Sequence, residues 1–408
     1  MPTPQETLRA QLNTRVPAST STPGSAKTPA TPEHRYFRVI GRGTCGTIYE
    51  HSGLPAEVAI KVGSERASIK RDFNHSLRAF NATKTSCPRS EALLQIPLPL
   101  VPRPRKRLDD NDLGKLGSKG LRLEAVDAEI CDGDPRVFRG AVIPAAWEGE
   151  RIGAVSEVVR DALVDLYVEP DQRLNVESDD ENMDCLIRVY LGAESPGPHH
   201  LEELRNAPLY LDQMISLQLD TQALAKEMAM GLATCHWGAG LDGMDIEFVL
   251  GAPRLARYRD RTELAKPQPA VKMWMLDYDK TTLIPLHGKT AELEKTDEDI
   301  VSKFSIAIHG NDPYYPRPSL DETMWDKFAE IYILGSRNIL GNTKMPDEKM
   351  KRLLELPKRV IERLKELYDA EERWRRDASE LVGFEDDTGR VDEGWESEKS
   401  DEDSEYPG

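Results

Sequence analysis

The sequence predicts an α+β protein with two lobes, a small β-rich N-lobe and a mainly helical C-lobe, between disordered termini. Short β-branched segments bounded by Gly or Pro, "YFRVIG", "TIYEH" and "EVAIKVG", indicate strands early in the chain. Later, "TQALAKEMAMGLATCHW" places Leu224, Met228 and Leu232 on one helical face. A strand-rich part followed by a helix-rich part is typical of an α+β fold rather than of alternating βα units.

Both ends of the chain have compositions that do not support a core. The first residues are rich in Pro, Ser and Thr without an apolar period, and residues 385–408 carry 11 acidic and 2 basic side chains. Such segments cannot bury enough apolar surface to offset their ordering entropy. We therefore divide the chain into a disordered tail at 1–34, the N-lobe at 35–192 with insertions at 84–119 and 168–183, the C-lobe at 193–370, and an acidic disordered tail at 371–408.

Composition excludes several classes of protein. The formal charge of −17 over 408 residues argues against nucleic-acid binding, which needs a basic surface. No apolar run is long enough for a membrane span and no apolar signal core opens the chain, so we expect an intracellular protein, cytoplasmic or nuclear, with no membrane partner. The five cysteines have no CxxC spacing, so we expect no structural zinc. A basic cluster in the first insertion is either a nuclear-import patch or a solvated loop: Arg103, Arg105, Lys106 and Arg107.

The first segment that could bind a ligand is "VIGRGTCGTIYEHSGLPAEVAIKVG". Gly41, Gly43 and Gly46 form G-x-G-x-x-G between two strands, whereas a dinucleotide-binding fold would place this motif between a strand and a helix. A glycine-rich hairpin can act as a flap whose backbone N–H groups approach phosphate oxygens. Lys61 follows within an apolar strand, where a buried ammonium needs an anionic partner. That partner is a phosphate beneath the flap; the alternative is a purely structural hairpin.

Carboxylates interrupt or end two later apolar segments, "CHWGAGLDGMDIEFVLG" and "MWMLDYDK". Asp277 ends the second segment, where a carboxylate could hold Mg²⁺ against phosphate oxygens. In the first segment, Asp242 and Asp245 are candidates for a base or a positioning group, and Glu247 is a further oxygen ligand. The alternative is that these carboxylates only cap loops.

The glycine hairpin, the strand lysine and the two segments with carboxylates, in this order, resemble the protein-kinase-like fold. The resemblance covers about residues 36–368, apart from the insertions. In that family a glycine flap covers the ATP phosphates, a strand lysine pairs with them, a loop Asp orients the acceptor hydroxyl and a later Asp binds magnesium. "LDYD" resembles the Asp–Phe–Gly site of kinases of the aminoglycoside-phosphotransferase type. The resemblance implies ATP and Mg²⁺ as cofactors and the following residues: Gly41, Gly43, Gly46 and Lys61 for the nucleotide, Asp277 and Glu247 for the metal, and Asp242 for catalysis.

The catalytic loop departs from the kinase pattern. Asp242 is followed five residues later by Glu247, where a kinase has Asn, and neither His–Arg–Asp nor Ala–Pro–Glu occurs. His236 stands where the helix ends and is interpreted as structural. Asp72 is the best candidate for the helix carboxylate that pairs with Lys61, although it follows the lysine by only 11 residues. The sequence therefore leaves open whether the protein catalyses phosphotransfer, even with a kinase-like fold.

The second half also resembles the fungal DUF3669 family, which carries the name "zinc finger protein". The resemblance rests on "APLYLDQM", "LAKEMAMGLATCHWGAGLDGMDIEFVLG", "MWMLDYDK" and "GNDPYYPRP", and the region that defines the family corresponds to about residues 273–340. The cysteine spacing does not support the zinc label. "GNDPYYPRP" is either a rigid packed loop or a binding surface.

Two functions follow from these observations. The first is a nucleotide-binding, phosphotransferase-like protein. The second is a non-catalytic, pseudokinase-like scaffold whose acidic tail and insertions recruit protein partners. A zinc-dependent nucleic-acid binder is a third class, supported only by the family label and the basic insertion.

Overall fold

The structure is a computed structural model that describes residues 2–13, 37–43, 45–51, 57–85, 94–109, 112, 145–254, 269–286, 296–311, 313–343 and 345–383. The chain divides into two compact units, 1–365 and 366–408, and the features below belong to the first unit unless stated. The acidic stretch 384–408, residues 86–93, 110–111 and 113–119 of the first insertion, and residues 14–34 of the N-terminal tail lie outside the described residues.

The first helix, α1 (Pro4–Gln11), lies in the segment that we expected to be disordered. A capping box starts it: the Thr3 hydroxyl accepts from the Glu6 N–H at 3.2 Å, and the Glu6 carboxylate accepts from the Thr3 N–H at 2.8 Å. Leu8 and Leu12 are buried, and α1 packs against a later helix at residues 157–167. This apolar pair at helical spacing is masked in the sequence by the Pro- and Ser-rich composition that follows it.

A five-stranded antiparallel sheet forms the N-terminal part, in the order β1-β2-β3-β5-β4. Its strands are β1 (Phe37–Gly43), β2 (Gly46–His51), β3 (Val58–Gly63), β4 (Pro104–Leu108) and β5 (Ala145–Glu150). Helix α2 (Arg66–Thr85) follows β3 directly and packs against β3, β4 and β5. The sheet core is a cluster of apolar side chains: Val39, Tyr49, Ile60, Val62, Leu108 and Ala146.

The two predicted insertions contain regular structure. Strand β4 lies within the first and carries Arg105, Lys106 and Arg107 as exposed side chains. It is an edge strand, so its charged residues hide the alternation that would have predicted it. The second insertion begins directly after α3 (Glu157–Tyr167) and contains α4 (Arg173–Ser178) and most of a 3₁₀ helix (Asp180–Asp184). The buried side chain of Asn182 in this insertion hydrogen-bonds to the backbone of Val176 and Leu204.

A second sheet of four strands follows, in the order β7-β6-β8-β9. The strands are β6 (Ile187–Tyr190), β7 (Ala207–Tyr210), β8 (Glu247–Gly251) and β9 (Lys272–Leu276). Strands β6 and β7 are parallel, and β8 is antiparallel to both β6 and β9. The region assigned to the helical lobe therefore contains three of these strands as well.

The remaining helices are α5 (Leu211–Ser216), α6 (Thr221–Ala233), α7 (Asp297–Gly310), α8 (Glu322–Gly341) and α9 (Asp347–Gly383). Helix α8 packs along α6, and a β-carbon at Gly335 would lie only 2.6 Å from the Met230 sulfur. Asp321 caps α8, and Pro357 lies inside α9. Within the described residues, no helix has the length and apolar character that a membrane crossing requires.

Helix α9 continues to Gly383, so residues 371–383 are helical although we assigned them to the disordered tail. Arg375 and Glu371 form an ion pair one turn apart, an arrangement that supports an exposed helix. The mixed signs of charge in this segment distinguish it from the strongly acidic residues that follow.

Candidate functional site

A cavity lies between the two sheets. Its roof is the hairpin of β1 and β2, and its base is formed by the inner end of β3, by α2 and by the adjoining ends of β6, β8 and β9. The predicted residues that line it are Gly41, Gly43, Gly46, Lys61, Glu247 and Asp277. Asp242 is not among the lining residues.

Lys61 is the centre of the base. Its ammonium lies 2.8 Å from an oxygen of Asp72 and 2.8 Å from an oxygen of Asp277. Burial alone would lower the pKa of Lys61, but the two carboxylates raise it above its ordinary value. The lysine is therefore a permanent cation on the cavity wall.

Asp72 connects the base to strand β5, to the segment after β9 and to its own helix α2. Beyond Lys61, its carboxylate accepts from the Trp147 indole N–H at 3.2 Å, from the Tyr278 backbone N–H at 3.1 Å and from the Ser76 hydroxyl at 3.3 Å. The separation of 11 residues from Lys61 is sufficient because α2 begins at Arg66, three residues after β3 ends at Gly63. Asp72 consequently lies on the second turn of α2, within reach of the strand lysine.

Asp277 follows β9 immediately and has a left-handed backbone, with φ of 63°. Such a conformation is uncommon outside glycine and occurs at functional sites. Burial raises the pKa of Asp277 to about 7, a shift that Lys61 opposes and that the negative charges of Asp72 and Asp279 reinforce. Three carboxylates thus act on one another around a single ammonium, and this part of the base has an excess of negative charge.

Glu247 lies beside Asp277, because it pairs across the sheet with Leu276. One of its carboxylate oxygens contacts Nη2 of Arg188 on β6. Burial raises the pKa of Glu247, and the arginine opposes the shift. A metal ion at Glu247 would have to share this carboxylate with the guanidinium.

The predicted catalytic residue Asp242 fixes the loop that contains it. One carboxylate oxygen accepts from the Thr282 N–H at 2.8 Å and from the Met244 N–H at 3.2 Å, and the side chain is nearly buried. Asp245, the other candidate, is more exposed and pairs with Lys280 at 2.8 Å.

His236 is structural, in agreement with its interpretation from sequence. Its Nε2 donates to the Asp242 carbonyl at 2.9 Å, so Nδ1 accepts from the Tyr332 hydroxyl at 2.7 Å. The ring stacks on Phe304 with 4.1 Å between centroids. Burial lowers the pKa of His236 to about 3, so the neutral ring supports the loop from below.

The three glycines of the roof are not equivalent. A β-carbon at Gly46 would lie 2.5 Å from the Val62 carbonyl oxygen, so the hairpin can approach β3 only without a side chain there. A β-carbon at Gly41 or Gly43 would meet its nearest atom at 3.6 or 3.9 Å, which is ordinary contact. Gly46 is thus required by packing, whereas packing leaves the other two glycines open to a role toward a ligand.

Ion pairs join the roof to the 3₁₀ helix. Arg38 contacts both Glu50, at 2.6 Å, and Asp184. Arg42 contacts Glu181 at 3.3 Å. Glu181 of the second insertion and Asp184, directly after it, therefore bind the hairpin, a role that the acidic composition alone did not indicate.

Several lining residues were missed from sequence. Arg188 interrupts the apolar strand "CLIRVYLG" as Lys61 interrupts "EVAIKV", and this signal could have identified it. Trp147 pairs across the sheet with Lys61, a relation that only strand register reveals. Arg151, Asp184 and Arg205 also line the cavity.

In "GNDPYYPRP", Tyr314 and Tyr315 are buried and Asn311 donates to the Ile246 carbonyl at 2.8 Å, as in a packed loop.

Among the residues that the structure describes, no group of three or more His, Cys, Asp or Glu side chains is arranged to hold a metal ion. Magnesium in nucleotide sites needs fewer protein ligands, because phosphate oxygens and water complete its coordination. The excess of carboxylates around Asp277 is compatible with such a cation.

Comparisons with known proteins add a short family match. The family model DUF3669, described as "Zinc finger protein", matches residues 273–344, less than half of the chain. This segment begins in β9 and includes Asp277. No curated protein matches the chain. A structure of the microcompartment-associated aminopropanol kinase is similar to this chain with 10% sequence identity. The match covers 80% of this chain and 90% of the kinase chain, and its TM-score is 0.21. A TM-score this low does not show a shared fold.

Proposed function

We propose that this chain has a kinase-like fold and binds a nucleoside triphosphate such as ATP, with Mg²⁺, in the cavity between its two sheets, as a phosphotransferase does. The observation that carries the proposal is the position of Lys61, held between Asp72 and Asp277 beneath a glycine hairpin. A buried ammonium with free access to a cavity is suited to phosphate oxygens.

The roof supports the same proposal. Packing would allow side chains at Gly41 and Gly43, but neither residue has one, so the backbone of the hairpin can approach a ligand closely. Ile48 and Ala59 line the same cavity from β2 and β3, and Leu276 lines it from β9. These apolar side chains provide surfaces for a base, and Lys61 provides charge for the phosphates.

Asp277 is the residue that would hold Mg²⁺. When bound, the metal would neutralise charge on the phosphate oxygens. Asp277 must lose its proton to bind the cation, and its raised pKa makes this step depend on pH near neutrality. Lys61 would keep its contact with Asp72, and its remaining N–H groups would be available to phosphate oxygens.

A second candidate is a nucleotide-binding, non-catalytic protein, in the manner of a pseudokinase-like scaffold. The specific observation in its favour is Asp242, whose carboxylate accepts two backbone N–H groups and does not line the cavity. A group so engaged is poorly placed to orient an acceptor hydroxyl. Residues 384–408 of the acidic tail proposed to recruit protein partners lie outside the described residues.

Thermal unfolding with ATP, with and without Mg²⁺, tests nucleotide binding. Ligand at about 100 times its dissociation constant adds roughly 2.7 kcal/mol of stability. We expect a Mg²⁺-dependent shift that Asp277→Asn removes and that Asp245→Asn keeps, because Asp245 is outside the cavity lining. No shift in the wild type with excess ATP would contradict the nucleotide site.

Consumption of bound ATP separates the two candidates. A rate of ADP formation that Asp242→Asn abolishes, while ATP binding persists, would support phosphotransfer. ATP that remains intact in the complex, with no effect of Asp242→Asn, would support the non-catalytic candidate.

A further inference from the structure

Arg188 is the cation of the base that the kinase-like pattern does not account for. It lies on β6 between Ile187 and Val189, both fully buried, and its side chain lines the cavity. Arg188 pairs across the sheet with Val249, and Glu247 is two residues from Val249 on the same face of β8. The strand register therefore brings the guanidinium to Glu247.

The contact with Glu247 leaves part of the guanidinium unused. Nη2 contacts the carboxylate and Tyr190 also hydrogen-bonds to the guanidinium, whereas Nε is buried and has no hydrogen-bond partner among the described residues. A buried donor without a partner is unfavourable, and a guanidinium offers five N–H groups in a planar fork. An anion in the cavity could accept from the remaining donors.

The chemistry of this fork favours one class of anion. Guanidinium groups bind phosphate oxygens through two parallel hydrogen bonds, and Lys61 lines the same cavity as a second cation. A chain of phosphates can reach both cations, since Glu247 beside Arg188 and Asp277 beside Lys61 lie at adjoining ends of β8 and β9.

Glu247 has a different setting from Asp277. Asp277 shares its cation, Lys61, with Asp72 and also experiences the negative charge of Asp279, whereas Glu247 contacts a guanidinium of its own, whose effect on it exceeds that of the nearby carboxylates Asp245 and Asp279. A second magnesium ion at Glu247 would meet that positive charge at close range. The carboxylate is thus better suited to orient the arginine than to bind metal.

We propose that Arg188 binds the polyphosphate chain of the ligand and that Glu247 positions its guanidinium instead of binding a second magnesium ion. This inference rests on the proposed nucleotide function, to which it adds the chemistry at the Glu247 end of the base.

Calorimetric titration with ATP and with inorganic tripolyphosphate tests the role of Arg188. The main variant is the neutral pair Arg188→Gln with Glu247→Gln, which leaves no unpaired charge in the base. Loss of a charge-assisted contact should weaken both ligands by about tenfold to hundredfold. Arg188→Lys should recover part of the affinity, because it keeps the charge and loses the fork.

Arg205→Gln is the matched control. Arg205 also lines the cavity, but its guanidinium contacts Glu181 and Glu203, so its loss should change affinity for tripolyphosphate by less than about threefold. Circular dichroism of each variant establishes that it is folded before titration.

Electron paramagnetic resonance of Mn²⁺ bound with ATP tests the role of Glu247. We expect one bound ion in the wild type and in Glu247→Gln, and none in Asp277→Asn. Loss of an ion in Glu247→Gln would identify Glu247 as a metal ligand and overturn its role as a positioning residue.

The two proposals fail in different ways. Equal affinity of wild type and the neutral pair for both ligands would overturn the role of Arg188 while nucleotide binding stands. Tripolyphosphate binding that depends on Arg188 without ATP binding would support the phosphate site and contradict the nucleotide proposal. If the wild type binds neither ligand, both proposals are overturned.

Discussion

The base and the roof of the cavity both contain ion pairs, and these pairs differ in burial. In the base, the side chains of Lys61 and Asp72 are 10% and 2% exposed. On the roof, those of Arg42 and Glu181 are 32% and 33% exposed. A charge buried without its partner is strongly unfavourable, whereas an exposed pair adds little stability and is screened by salt.

This difference is compatible with the proposed binding of a charged ligand in the cavity. The base keeps its charges in fixed positions, because each would be unpaired if it moved. On the roof, the contact between Arg42 and Glu181 is one that water and salt can replace at small expense in free energy, whereas Asp184 beside Arg38 is only 7% exposed. We therefore expect substitutions in the base to change stability more than substitutions on the roof.

The largest effect is expected for Lys61→Met. Removal of the ammonium leaves Asp72 and Asp277 without their shared cation, so we expect a loss of about 3–5 kcal/mol in the free energy of unfolding. The control is Lys106→Met, because Lys106 pairs with Asp112 while 55% of its side chain is exposed. Because this pair is exposed to solvent, its loss should change stability far less than the loss of Lys61. Denaturant unfolding measures both, and equal losses would contradict the proposed difference.

The loop beneath the base should respond to acid through His236. The pKa of His236 is about 3 in the folded protein, below its ordinary value of about 6.5. As pH falls below about 6.5, the unfolded chain takes up a proton that the folded protein refuses, so stability is lost. The loss from this group should reach about 3 kcal/mol near pH 4.

Stability measured against pH in His236→Asn and Asp277→Asn checks this assignment. His236→Asn should flatten the acid loss. Asp277→Asn should have the opposite effect, because the raised pKa of Asp277 makes stability fall as pH rises from about 4 to about 7. Identical slopes in both variants and the wild type would contradict the burial of these groups.

The residues of the base that could be predicted from sequence share one local signal. Lys61 and Asp277 each place a charge within or at the end of an apolar strand, and the energetic cost of burying that charge implies a partner. The division into a strand-rich first part and a helix-rich second part was also predictable, because it depends on periodicity within each segment.

The partners of those charges depend on contacts that are distant in sequence. Arg188 has the same signal as Lys61, but its partner Glu247 is 59 residues away and is reached through the pairing of β6 with β8. The environment of Asp242 depends on Thr282, 40 residues later. Sheet register and loop hydrogen bonds decide both, and neither leaves a pattern in a single sequence.

Substitutions at two glycines of the roof should have smaller and different effects on stability. Gly46→Ala would place a β-carbon 2.5 Å from the Val62 carbonyl oxygen, and the strands would have to separate. We expect a loss of about 1–3 kcal/mol. In Gly43→Ala the nearest atom is 3.9 Å away, so stability should be unchanged or rise by up to about 1 kcal/mol. Thermal unfolding compares the two, and a larger loss at Gly43 would refute the packing argument.

The smallest effect is expected for Glu181→Gln on the 3₁₀ helix. Glu181 contacts Arg42 of the roof and Arg205, and its side chain is one-third exposed, so its charge should contribute about 0–1 kcal/mol to stability. The difference between wild type and Glu181→Gln should shrink as salt is raised, because exposed charges are screened. Denaturant unfolding at low and high ionic strength measures this, with Lys61→Met as the comparison. A salt-independent difference at Glu181 would contradict its assignment as an exposed, screened contact of the roof.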